Sequence, residues 1–317
     1  MRHSLAVVAV LLAASMAMAQ YNTPPSHAPG MSAPPTPQSG AADSAQAQPA
    51  AGTHRVLQAK SQDELKAYQD AAAITDAAQE MTAADAFAAK YPTSELRAAL
   101  YIRAMNLYGQ KNNAEKLIEA GRKAIAADPT NPVPLVQVAS ALAESSSETD
   151  LDRDERFNEA AKDAHAAIDN LDTGLIVPPN APADKIAGAK KSILTMAYDT
   201  LGMVEMNKKD YAAAEQNLLK AAESSKANPE AVVYLRLSVA QDQQKKYKEA
   251  LESANKAVQL SPDGSTAQGL AKQQQSRLQK LIAAGSSAGG TALPSEIPAP
   301  AAPLPPAPQT SPAAPPH

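Results

Sequence analysis

No cysteine occurs anywhere in the 317 residues, tryptophan is absent and phenylalanine appears twice. The first absence excludes disulfide staples, a thiolate nucleophile, a Cys-based metal site and a lipidated-cysteine tether. The others exclude a core of large aromatics, which total 3%; packing falls to Ala, Leu, Val, Ile, Met and Tyr. Charge of one sign is lacking as well. The net charge is −4 with acids and bases interspersed, and without a basic stripe there is no nucleic-acid footprint. No convincing run alternates apolar and polar residues, so no strand is predicted.

The first segment carries an address. "MRHSLAVVAVLLAASMAMA" has a basic start at Arg2, an apolar run from Leu5 to Ala14, and Ala17-Met18-Ala19 before Gln20. These three parts predict a secretory signal over residues 1–19, cleaved before Gln20. The alternative is a membrane anchor, but a spanning helix needs about 20 apolar residues and this run is about half that. The expected mature chain is soluble, without a membrane span, and periplasmic or secreted.

Composition divides the rest. Residues 20–55 are rich in Pro, Ala, Ser and Gln and residues 286–317 in Pro and Ala, neither with an apolar period; such segments bury too little surface to offset their ordering entropy, so both are expected to be disordered tails. Between them, over 56–285, Ala, Leu, Glu, Lys and Gln dominate, which are strong helix formers. Ser61-Gln62-Asp63-Glu64 has the pattern of a capping box. "AADPTNP", "ANPE" and "LSPDG" punctuate this middle region as helix terminators.

One pattern repeats. Tyr211, Ala214 and Ala221 match Tyr247, Ala250 and Ala257 at a constant offset of 36. A period in the mid-thirties built of two helices predicts an all-α chain: an α-solenoid of antiparallel helix pairs, each needing its neighbours to bury its apolar face. Small residues belong where helices cross closely and bulky ones fill the gaps.

These residues resemble the tetratricopeptide repeat, as found in exported bacterial envelope proteins. Tyr198, Leu201 and Gly202 fit its first helix, and Tyr211, Ala214, Leu218 and Ala221 its second. The next unit reads Tyr234, Leu237 and Ser238, then Tyr247, Ala250, Ala254, Ala257 and Pro262. Weaker units precede these: Tyr101, Ala104, Tyr108, Ala124 and Pro129 in one, with Leu117 where a small residue is usual, and Leu135, Val138, Phe157, Ala160 and Ala167 in another. The resemblance implies repeat-packing roles for these side chains. It implies units near 61–94, 98–131, 132–174, 195–228 and 231–264, with a cap helix over 265–283. Inserts are expected around "SSSETDLDRDER" and over 173–184.

Motifs that carry chemistry are missing. "DLDRDERFNEAA" begins like a calcium loop but has Glu155 and Ala161 where Gly and Glu are needed. His165 has Asp163 and Asp169 nearby but no second histidine four residues away, so no zinc pattern is read. No glycine-rich phosphate loop, nucleophile elbow or zinc pattern is present. Neither enzyme activity, cofactor, metal nor small-molecule substrate is expected.

What remains is the concave surface that first helices line in the family. A carboxylate clamp would need Lys and Asn at fifth and ninth positions; Ile102, Val136, Asp199 and Leu235 hold the fifth, and only Asn106 matches among the ninth. Met203, Met206, Leu235 and Val239 instead predict an apolar, adaptable strip. The alternative is that they pack against neighbouring helices or a returning tail. The sequence therefore predicts an exported, non-enzymatic scaffold binding an unidentified protein or peptide in the cell envelope. A second reading is a structural, self-assembling envelope component acting through its Pro/Ala-rich tails.

Overall fold

Eleven α-helices follow one another in the structure, a computed structural model that describes residues 55–178 and 180–287, without the side chains of 285–287. The expected signal, most of the first tail and the second tail from residue 288 lie outside the described residues. In order the helices are α1 (Gln62–Ala72), α2 (Ala77–Lys90), α3 (Leu96–Gln110), α4 (Ala114–Ala127), α5 (Pro132–Ser145), α6 (Arg153–Asp169), α7 (Ala183–Asn207), α8 (Tyr211–Ser224), α9 (Ala231–Gln243), α10 (Tyr247–Leu260) and α11 (Thr266–Ser287). Each packs on its predecessor, and first helices also touch, α5 on α7 and α7 on α9. The architecture is an all-α solenoid.

Local chemistry sets the helix starts. Ser61 Oγ accepts from Glu64 N at 3.1 Å, while Glu64 Oε2 accepts from Lys60 N at 2.6 Å, so the return bond of the capping box falls one residue early. Asp76, Asn113, Asn131 and Asp210 each cap a helix through a side-chain oxygen, which satisfies amide groups the helix itself leaves open. The turn inside three pairs repeats one device. Asn112, Lys209 and Lys245 have φ of 55°, 61° and 63°, and each stands one residue before the next helix's cap. The left-handed residue reverses the chain in the fewest steps, at a steric cost for any side chain.

Size complementarity sets the crossings within pairs. A Cβ added at Gly202 would lie 2.7 Å from Leu218 Cγ; bulky leucine thus occupies the space that glycine leaves. In the α3/α4 pair the sizes are exchanged. Met105 stands on the first helix, and a Cβ added at Gly121 would collide with Val138 and come within 3.0 Å of Met105 Sδ. In α9/α10 the place of Gly202 is taken by Ser238, whose hydroxyl donates to Ala250 O at 2.7 Å. Ala214, Ala221, Ala250 and Ala257 are fully buried, Leu201 and Leu237 nearly so. Tyr198, Tyr211, Tyr234 and Tyr247 are half-buried between helices. Pro262 is exposed; its place is in the turn after α10, where a helix cannot continue.

One contiguous core runs from Tyr68 to Val204, followed by smaller clusters through α11. The segment after α6 joins that core through Leu171, Leu175 and Val177. It also holds the chain's entry: Val177 N donates to Arg55 O at 3.3 Å, and the Arg55 guanidinium meets both oxygens of Asp128 at 2.8–2.9 Å. Helix α7 begins at Ala183, well ahead of the repeat unit expected from 195.

Candidate interaction surface

Asp199, Met203 and Met206 lie four and three residues apart on α7, a spacing that places them on one helical face. On α9, Arg236 and Val239 share a face in the same way. Met203, Met206 and Val239 are half-buried. Met203 packs against the large core of the preceding pairs, whereas Met206 rests on Ala214, Leu218, Leu237 and Ala240.

Leu235 does not join them. It is 2% exposed and packs on Ala257 and Ala271, because α11 lies against α9 and covers that side. The expected strip is therefore corrected to Met203, Met206 and Val239. Asn106 is half-buried on α3, two pairs away, and its Oδ1 has no hydrogen-bond partner.

At one end of the strip the surface becomes charged. Arg236 is 1% exposed although it carries a full charge. Its guanidinium donates to Asp199 Oδ2 on α7 and reaches Glu144 Oε1 on α5 at 3.5 Å. One arginine therefore ties three successive first helices together. Burial pushes the Asp199 carboxyl up, with Arg236 opposing. Glu230, the N-cap residue of α9, keeps an exposed side chain. Asp199 and Glu144 thus share one guanidinium. Sequence reasoning placed Asp199 at a groove position but missed its partner; the signal was an arginine set inside the apolar run "VVYLRLSVA".

Other charged pairs serve the stack. Arg103 holds buried Glu80 at 3.1 Å, and Arg277 with Gln274 holds buried Asp242. His165 is exposed on α6. Among the described residues no group of three His, Cys, Asp or Glu side chains is placed to hold a metal, and no helix is long and apolar enough to cross a membrane.

The tetratricopeptide repeat profile matches residues 197–228 and 231–263, the two units that contribute this surface. Residues 197–263 therefore carry two tetratricopeptide repeats. These repeats make the chain a protein–protein interaction scaffold, and no catalytic family is indicated. Among solved structures, MamA from Desulfovibrio magneticus RS-1 is 18% identical, with 59% of this chain and 96% of that one covered and a TM-score of 0.38. YrrB, described as a TPR protein with an unusual peptide-binding site, is 15% identical over 61% of this chain and 97% of its own, with a TM-score of 0.24. The assembly chaperone of RpL4, Acl4, is 13% identical over 70% and 99%, with a TM-score of 0.36. The search of curated proteins returned no significant match.

Proposed function

We propose that this tetratricopeptide repeat protein is an exported, non-enzymatic scaffold of the bacterial cell envelope that holds a segment of a partner protein along α7 and α9. One observation carries the reading. Met203, Met206 and Val239 stand on the adjoining first helices α7 and α9 as apolar side chains that are only half-buried. Methionine suits such a surface because its unbranched, polarizable side chain conforms to different guests. Export rests on the three-part pattern of residues 1–19.

Two measurements test it. In cell fractionation the mature chain should appear in the periplasm or medium, beginning at Gln20; a cytoplasmic chain retaining Met1 removes the export reading. The double variant Met203→Glu with Val239→Glu should lose in-cell cross-linking to the partner while its melting temperature falls only slightly. Unfolding of that variant would show both side chains to be core and remove the groove.

A further inference from the structure

One large apolar side chain stands wholly in solvent. Leu151 is 106% exposed, against 48% for Leu219, the other exposed large apolar side chain among the described residues. It belongs to the α5–α6 loop, residues 146–152, where the pairs α3/α4, α7/α8 and α9/α10 turn within 111–113, 208–210 and 244–246. The loop is held in place. Ser147 N and Oγ each donate to an oxygen of Asp150 at 2.8 Å, and Arg156 donates to the hydroxyls of Ser145 and Ser146 at 2.6 and 3.1 Å. A loop already fixed loses little freedom when it binds. Glu148, Asp150, Asp152, Asp154 and Glu155 flank the leucine, so an apolar tip is set in an acidic surround. The strip on α7 and α9 has the complementary pattern. Met206 lies in the last turn of α7, and exposed Lys208 and Lys209 follow it; exposed Lys245, Lys246 and Lys248 follow α9, which packs on α7. Lys208 and Lys246 pair with Glu205 and Glu215, whereas Lys209 and Lys245 make no ion pair among the described residues.

We infer that a second copy of this chain fills the strip with its α5–α6 loop, Leu151 lying on Met203, Met206 and Val239 and the acidic flanks facing the lysines beyond them. The inference rests on the proposed use of the strip and names its occupant. The loop and the C-terminal ends of α7 and α9 lie at the same edge of the solenoid, where the two helices of a pair are joined. One edge thus carries both halves of the contact and can meet itself in a dimer. Within a single chain the halves do not meet, since Leu151 is in solvent. Covering the leucine with methionine removes apolar surface from water. The opposite charges around it orient the encounter and lose strength as salt rises.

Sedimentation velocity of the full chain over a range of protein concentrations tests this. The parent should form a dimer that weakens in high salt. Leu151→Ser and Met203→Glu should each weaken it at least about tenfold, whereas Leu219→Ser should leave it unchanged. Leu151→Ser should also melt at the parent's temperature, because the side chain touches nothing in its own chain, so its loss of association is not unfolding. An equimolar mixture of the Leu151→Ser and Met203→Glu proteins should dimerise again, one supplying the strip and the other the loop. A dimer indifferent to Leu151→Ser, or a mixture that stays monomeric, overturns the inference. A parent that is monomeric at every concentration overturns it too; in-cell cross-linking that still depends on Met203 would then keep the strip, with a different protein as its guest.

Discussion

Replacing glycine by alanine at four helical positions should give opposite signs of stability change. Gly188 on α7 and Gly269 on α11 have nothing within 4 Å of an added Cβ. There alanine reduces the freedom of the unfolded chain without a clash, and each variant should gain about 0.5–1 kcal/mol. At Gly202 the added carbon would sit 2.7 Å from Leu218 Cγ and 2.8 Å from Cδ2, and Leu218 is fully buried with nowhere to retreat. Overpacking of that kind costs about 1–3 kcal/mol, which exceeds the gain in helix propensity; the net should be a loss of about 1–2 kcal/mol. Gly121→Ala, which would strike Val138, should also lose. Urea unfolding read by far-UV circular dichroism gives all four midpoints. Combining Gly202→Ala with Leu218→Val should cost less than the sum of the two, because the smaller side chain frees the space. Equal stabilisation at all four positions would refute the account of how the helix pairs close.

Three further outcomes rest on the same geometry. Lys209→Gly and Lys245→Gly relieve a side chain held at φ 61° and 63°, and each should stabilise by about 0.5–1 kcal/mol; a fall in urea midpoint would contradict the turn. Ala221→Leu should cost about 1–3 kcal/mol by overpacking a fully buried crossing, whereas Glu223→Ala at an exposed position should stay within about 0.5 kcal/mol. Asp163 is buried on α6, and its carboxyl is pushed from 3.8 up to about 6, chiefly by that burial and secondly by Glu159, with Lys162 and Arg122 opposing. The native state therefore keeps a proton that the unfolded chain releases, so this contribution is present below about pH 4 and is lost as pH rises to about 6, amounting to about 3 kcal/mol. Thermal melts should show a smaller gain on going from neutral pH to pH near 5 in Asp163→Asn than in the parent; equal gains would discount Asp163.

The solenoid was legible because its pairs obey local rules. Helix formers between proline-bearing turns, and a bulky–small–small pattern restated after 36 residues, reflect crossings that must be close. Other features depend on distant neighbours. A bulky Met105 on α3 and a small Gly121 on α4 work only as a pair, so Leu117 taken alone reads as a misfit and hides the compensation. Leu235 and Val239 fall four apart, yet only the arrival of α11 decides that Leu235 is covered. The early start of α7 had a signal in Ile186, Ala189 and Ile193, spaced three and four apart, masked by the proline-rich run before it. Arg236 was the missed clue at the candidate site: a charge inside an apolar run on a buried helix needs carboxylate partners, and here they come from two other helices.

The proposed function requires that partners meet the strip of Met203, Met206 and Val239 on α7 and α9. A photoreactive amino acid placed at position 239, compared in living cells with the same residue at position 219 on the exposed side of α8, tests it most directly. The account predicts a discrete cross-linked species from position 239 that disappears with Met203→Glu, and none from position 219. Cross-linking from position 219 with none from position 239 would contradict it.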